Sequence, residues 1–528
     1  MESSGFGLLT HKTRMWGETI SMQGICALKF PRGMGTPDMK RLQFRIGDGQ
    51  KQVIRSEFSK GKGLPFIGGY RLHTFRMEMR TEDILQLDIQ NKFYVYYDDQ
   101  EISDVSYNIL EKRHGSYHNT RVMSAGGKSI YFRQNVNNKL WLVVRPPNIY
   151  DDPSAGPRVF FAWLLAKLPG GSEPILMYEK EASRYEESAS VLFEKLIDSG
   201  YQNIYYIVNP DNPAIRHLDA RYRNKMIDKD SFRHLKYFFR CRTFIGTETL
   251  DHALQLRAAN RRIMSKAQST DVTHVFLQHG VMYMVSLDAD LRVGFVSRKV
   301  KRYRTVVSSE AEAMHFILLG GFRREELYVT GLAKFDRSFR MEDADRIMIM
   351  PTWRRWETNL AETDFEQTGY YRMLERMVAG VPEDLRDRII IKPHPLMQSM
   401  MEQHQTPLSR YLRPELSHDD TLRQCRVLIT DYSSIAYDAF YRGANVIFCW
   451  EDMEECMKHY GGAHLMINEY NIFGDICRGS RDLAKVMRRN YEEPQTPLYR
   501  RRYGNIVNFS DNRNTERIIE CLKKDHIL

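Results

Sequence analysis

The sequence predicts an α/β fold, with two doubly wound halves in succession behind a β-rich N-terminal domain. Three observations carry that prediction. From about Ile175 onward, short apolar runs alternate with stretches of helical period, the signature of parallel strands joined by crossover helices. The alternation begins again at Ile347-Met348-Ile349-Met350, so two Rossmann-like units of comparable size are expected to face each other across a cleft. Before residue 150 the period is two, with dense Gly and Pro punctuation, as in half-buried antiparallel strands.

In the N-terminal part the alternating segments are Leu42-Gln43-Phe44-Arg45-Ile46, Thr74 to Met79 and Phe93 to Tyr97, ending near Trp141-Leu142-Val143-Val144. This gives a β-rich accessory domain over 1–150. Residues 151–174, rich in Pro, Gly and Asp, read as a linker. The first α/β half, 175–337, is expected to carry a helix from Glu181 to Ile197 before the strand Ile204 to Val208, and a helix from Ser231 to Phe239 before Thr243 to Gly246. Strands at Val272 to Leu277, Thr305 to Val307 and Leu327 to Val329 follow, with a helix capped by Ser308 or Ser309 between the last two.

The second half, 338–528, holds the most informative stretch, Asp387 to Trp450. The run Ile389-Ile390-Ile391 stops at Lys392-Pro393-His394-Pro395, where two prolines forbid further ladder pairing and stiffen the loop. The run Val427-Leu428-Ile429 stops at Thr430-Asp431-Tyr432-Ser433-Ser434, and helical spacing then carries Ile435, Ala436, Ala439 and Phe440. That is a right-handed βαβ unit, whose ligands belong in the crevice at the carboxyl ends of the strands. Serines at a helix start, with free N–H groups behind them, suit a phosphate.

The bulk numbers set limits. A chain of 528 residues is too long for one core, and 42% hydrophobic with 27% charged residues describes an ordinary globular protein. No apolar run approaches the roughly 20 residues that span a bilayer. The longest, Val159 to Ala166, is read as a buried helix or linker anchor in preference to a membrane-dipping segment. The N-terminus lacks the order of a secretory signal, so a cytoplasmic location is expected. Seven scattered cysteines without a C-x-x-C pair point to reduced thiols and no zinc site. The net charge of +10 and the runs Arg298-Lys299-Val300-Lys301-Arg302 and Arg500-Arg501-Arg502 suggest attraction to anionic lipid or a polyanionic substrate. Nothing resembles a nucleic-acid-binding motif, so no nucleic-acid partner is expected.

Four polar loops follow expected strands: Gln278-His279-Gly280, Pro351-Thr352-Trp353-Arg354-Arg355, and the loops of His394 and Ser433-Ser434. A single histidine at a strand end means little. Four such loops on one cleft offer imidazoles, guanidinium, hydroxyls and a helix start, a set suited to a diphosphate-linked donor and to deprotonating an attacking hydroxyl. Asp288-Ala289-Asp290 matches a metal-holding D-x-D triplet, but it does not directly follow a strand and such triplets arise often by chance. No required metal and no cofactor are expected.

Gln278-His279-Gly280, Pro351-Thr352-Trp353-Arg354, Lys392-Pro393-His394-Pro395 and Thr430 through Asp438 resemble the ordered motifs of the CDP-glycerol glycerophosphotransferases, the teichoic-acid primases and polymerases. Tyr178 to Phe193 resembles the opening of their catalytic region, Trp450-Glu451-Asp452-Met453-Glu454 their acidic stretch. Gly331-Leu332-Ala333-Lys334-Phe335-Asp336 is a looser counterpart of their Gly-x-Pro-Arg-x-Asp segment. The resemblance covers about two thirds of the chain, from Ile175 onward. It implies a GT-B fold, with an acceptor-side first half and a donor-binding second half. It also implies transfer of an alditol phosphate from a CDP-linked donor to a hydroxyl of a lipid-linked teichoic-acid or capsular polymer, releasing CMP at the inner face of the membrane. His279 would be the general base and His394 a second catalytic histidine. Arg354, Ser433 and Ser434 would hold the diphosphate with His394, and Thr352, Lys392, Thr430 and Asp431 would complete the donor side. Two other readings use the same features: a CMP-sugar-dependent, sialyltransferase-like enzyme, and a non-catalytic polymer-binding adaptor. The Pro-Thr-Trp-Arg loop and the Tyr178 to Phe193 segment argue against the first.

Overall fold

A computed structural model describes residues 6–29, 38–47, 52–59, 62–63, 70–102, 105–110, 118–134, 139–152, 154–170, 173–250, 254, 261–267, 269–287, 302–357, 360, 364–393, 395–459 and 463–528. The chain divides into two compact units, one of residues 1–168 with 255–267, the other of 169–254 with 268–528.

In the first unit the described residues form a 13-stranded sheet between Phe6 and Arg145. Its pairings are antiparallel, except that Phe6–Trp16 runs parallel to Val105–Ile109. Strand Leu42–Ile46 alternates buried and half-buried positions, so one face enters a core in which Phe44 meets the rings of Phe6, Phe58, Phe75 and Phe93. Residues 155–166, which fall in the stretch read from sequence as a linker, form a helix, Ala155–Ala166. It buries only small residues and one valine, Ala155, Val159 and Ala162. Phe161 is 55% exposed and Leu164 44%, with Phe160, Leu165 and Leu168 also at the surface. The reading of Val159 to Ala166 as a buried helix is therefore corrected. Its small residues, not its large ones, face inward.

The second unit contains two parallel sheets. The seven-stranded sheet runs in the order Met226–Asp228, Ile204–Val208, Ile175–Tyr178, Thr243–Gly246, Thr273–Phe276, Arg302–Val307, Leu327–Val329. The order reverses between Ile175–Tyr178 and Thr243–Gly246, so the loops after Tyr178 and Gly246 open a crevice there. In the five-stranded sheet the order is Ile389–Ile391, Arg346–Ile349, Cys425–Thr430, Asn445–Cys449, Asp475–Cys477. Its reversal lies between Arg346–Ile349 and Cys425–Thr430, so the Thr352 and Ser433-Ser434 loops leave from the two sides of that point. Both strands beside the reversal are almost wholly buried, as sheets covered on both faces must be.

One continuous core links the sheets, running from Met177, Ile245 and Val306 to Met348, Leu428 and Val446. The chain also returns. Helix Asn514–Lys524 packs against the first half, where Asp336 accepts the backbone N–H of Asn514 at 2.9 Å and of Thr515 at 2.7 Å. Gly331, at φ +78°, makes this approach possible, because a Cβ there would stand 2.0 Å from the Asn514 amide oxygen.

Candidate functional site

His279 stands one residue past the buried end of strand Thr273–Phe276 and its continuation Leu277 and Gln278. Gln278 takes φ +59°, an uncommon conformation for a residue with a side chain. It is held there because its buried amide donates to the Val306 carbonyl at 2.6 Å. The turn this creates leaves His279 exposed. Its Nδ1 lies 3.3 Å from the Thr247 carbonyl at the reversal of the first sheet. A carbonyl only accepts, so this contact selects the tautomer protonated at Nδ1 and leaves Nε2 as a base. The Thr247 hydroxyl in turn donates to Glu187 at 2.6 Å.

The chain beyond His279 is fastened to the second half. Met466 N–H donates to the Met284 carbonyl and Ser286 N–H to the His464 carbonyl, while the Tyr437 hydroxyl donates to the Tyr283 carbonyl at 2.9 Å. Buried Glu312 accepts the Met282 N–H at 2.7 Å, although burial raises its carboxyl above the ordinary range. The stretch from Gln278 to Ser286 is thus tied to both sheets.

Ser433 and Ser434 are half-buried and open the helix Ile435–Tyr441. The Ser433 hydroxyl accepts the Ile435 N–H at a long 3.4 Å, and the Ser434 hydroxyl makes no capping bond. The two halves meet at this point. A Cβ on Gly280 would lie 3.4 Å from the Ser434 hydroxyl, 3.9 Å from the Lys334 ammonium and 4.0 Å from a carboxylate oxygen of Asp438. Lys334 donates to the His279 carbonyl at 2.7 Å and to Asp438 at 2.5 Å.

The remaining expected donor-side residues have their polar groups turned into the protein. Arg354 is 2% exposed, and each of its five N–H groups has a partner. These are both oxygens of Asp452 at 2.8 and 2.9 Å, Asp431 at 2.7 Å, the Thr352 carbonyl, and the Met373 sulfur at 3.4 Å. Burial opposes the charge, but Asp431 and Asp452 outweigh it and hold the guanidinium above its ordinary pKa. Asp431 also accepts the N–H and hydroxyl of Thr352 at 2.8 and 2.7 Å, and the Thr430 hydroxyl donates to the Met350 carbonyl at 2.7 Å. Lys392 gives two of its three donors to the carbonyls of Arg413 and Leu416, and burial lowers its pKa. Arg354, Asp431, Thr352 and Thr430 lock the loops at the sheet's reversal together, and Lys392 braces the turn at 413–416. His394, the triplet Asp288 to Asp290 and the basic residues 298–301 lie outside the described residues.

The structure therefore brings the His279-Gly280 turn to Ser434 and adds Lys334, Asp438 and Thr247, which sequence reading did not assign to it. Lys334 sits in a motif-like segment, but nothing in the pattern says that a residue 55 positions from His279 reaches its carbonyl. Among the described residues, no group of three His, Cys, Asp or Glu is placed to hold a metal ion. An imidazole with a free Nε2, two hydroxyls and an ammonium can take a proton from an attacking hydroxyl beside a bound anion.

The family model described as "CDP-Glycerol:Poly(glycerophosphate) glycerophosphotransferase" matches residues 161–524. The chain is 22% identical over 381 residues to the minor teichoic acid biosynthesis protein GgaB of Bacillus subtilis (strain 168), an alignment covering 66% of this chain and 40% of that protein. The chain thus spans about two fifths of the length of this curated relative. Among solved structures it is similar to the wall teichoic acid polymerase TagF, with a TM-score of 0.50, 15% identity, and coverage of 71% of this chain and 95% of that one. A variant of the same polymerase gives a TM-score of 0.50 over 70% of this chain and 92% of that one, again at 15% identity. The shared architecture is the GT-B fold.

Proposed function

The chain belongs to the CDP-glycerol:poly(glycerophosphate) glycerophosphotransferase family, and on that premise we propose that it transfers glycerol phosphate, or a related alditol phosphate, from a CDP-linked donor to a polymer hydroxyl. The observation that supports this reading is the approach of the turn after His279 to the serine loop, where a Cβ on Gly280 would lie 3.4 Å from the Ser434 hydroxyl. The acceptor hydroxyl attacks the phosphorus that bears the alditol. Its proton passes to Nε2 of His279, the new P–O bond forms, and the bond to the CMP oxygen breaks. CMP is a tolerable leaving group, so the protein's share is positioning and charge neutralisation.

The Ser433 and Ser434 hydroxyls serve as donors to the diphosphate in this reading. Arg354, Asp431, Thr352, Thr430 and Lys392 set the loops that present them, in place of touching the donor themselves. His394 is carried into the donor site by the sequence resemblance alone. The division into an acceptor-side half at 175–337 and a donor-side half from 338 onward belongs to the same proposal, as does the role of 1–150 as an accessory domain.

We place the reaction at the inner face of a membrane, on a lipid-linked polyanionic acceptor. Support comes from helix Ala155–Ala166, whose exposed Phe161, Leu164 and Leu165 lie in a basic setting. The Lys167 ammonium sits 3.8 Å from the Trp163 ring centroid and the Arg262 guanidinium 5.2 Å from that of Phe160. An apolar face edged by cations suits an anionic interface. Among the described residues no helix is long and apolar enough to cross a membrane.

The test is CMP release from CDP-glycerol and from CDP-ribitol, with a lipid-linked acceptor present. CMP from one donor, abolished in His279→Ala while donor binding persists, is the expected result. Undiminished transfer by that variant removes His279 from the reaction. Binding of a CDP-alditol without any CMP release across several acceptors favours a non-catalytic adaptor.

A further inference from the structure

Resting on the CDP-alditol reading above, we infer that Lys334 is a donor-phosphate ligand, reaching the transferred phosphate from the half opposite the serine loop. Lys334 belongs to the short 3₁₀ turn Ala333–Arg337 of the first half, and its backbone N–H is anchored on the Ser188 hydroxyl at 3.3 Å. The side chain is 13% exposed. Its ammonium and the Ser434 hydroxyl both lie within 4 Å of one point above Gly280.

An ammonium has three donors. In Lys334 one goes to the His279 carbonyl and one to Asp438, which leaves one for an incoming oxygen. Arg354, by contrast, has no N–H left for a ligand. Two phosphates brought to Ser433 and Ser434 carry negative charge that hydroxyls alone do not neutralise, and Lys334 supplies the counter-charge. Because it bonds the carbonyl of His279 itself, its ammonium goes with the phosphate under attack and not with the phosphate that leaves on CMP. Asp438, 6% exposed, holds the ammonium at 2.5 Å.

Titration calorimetry on the full chain, with CDP-glycerol, CDP-ribitol and CMP as probes, tests this. Lys334→Gln is expected to weaken the bound CDP-alditol roughly ten- to a hundredfold, as loss of a charge-assisted bond does. CMP affinity should stay within about twofold, and Lys334→Arg should restore most of the loss. Asp438→Asn keeps the ammonium but loosens its aim, and should weaken CDP-alditol binding less than Lys334→Gln does, although it breaks the same ion pair. Equal loss of CMP and CDP-alditol in Lys334→Gln, or equal loss in both variants, assigns the pair to bracing the cleft and overturns the inference. Unchanged CDP-alditol affinity in Lys334→Gln overturns it alone, because wild-type binding still supports the donor reading. Wild-type protein that binds neither CDP-alditol overturns both.

Discussion

An arginine at 2% exposure such as Arg354 persists only where acceptors surround it, since burying a charge without partners is costly. Two carboxylates, a carbonyl and a sulfur meet that need, and the price of removing one is high. Arg354→Ala leaves Asp431 buried without its cation, and an unfolding titration is expected to show a loss of about 3–5 kcal/mol. Arg354→Lys should recover little, because a lysine lacks the planar five-donor fork. A loss under about 1 kcal/mol would mean that water or other residues replace the guanidinium. From sequence, Arg354 reads as a phosphate ligand, since a guanidinium just past a strand end looks the same whether it meets phosphate or protein. What distinguishes them is Asp452, 98 positions away, and no local pattern joins the two. The places of His279 and the serine pair in the fold were legible because each sits directly after a recognisable strand. Lys334 was not, because its place depends on how the two halves dock.

Helices in the first half begin where side chains satisfy their first N–H groups, and Glu179 does this for helix Ser188–Asp198. Its carboxylate accepts the N–H groups of Glu186, Glu187 and Ser190, each at 2.9 Å. The helical period from Glu181 suggested an earlier start, but Glu181 and Ala182 take φ +53° and +56°, and the chain turns over Glu179 before the helix opens. Burial, then the nearby Glu187 charge, push the Glu179 carboxyl up to about 7, against those three bonds. Between the ordinary value of 4.5 and about 7 the folded chain holds a proton that the unfolded chain releases. This stabilising contribution is complete at low pH and is lost as the pH rises through the folded pKa. Glu179→Gln keeps an acceptor and removes the titration. Its melting temperature relative to wild type should rise by a few degrees between about pH 5 and pH 8. A difference that stays constant over that range would show that Glu179 does not titrate there.

For the molecule as a whole, parallel strands and their crossovers were legible because each buried strand is a short unbroken apolar run, such as Ile389–Ile391. The two strand orders were not, since neighbours within a sheet follow from packing of helices between distant segments. The surface of helix Ala155–Ala166 was also misread, because an apolar run does not say which of its sides is covered. Replacing Phe161, Leu164 and Leu165 by serine should cut co-sedimentation with anionic vesicles at low salt about tenfold or more. Unaltered sedimentation would separate this helix from any membrane contact. The return of helix Asn514–Lys524 to the first half carries a consequence for proteolysis. The chain passes between the halves at 338–345 and again at 505–513, where Ser308 grips the Ile506 carbonyl. A protease that nicks one crossing leaves the other to hold the halves together, so a single cut should leave the two halves associated.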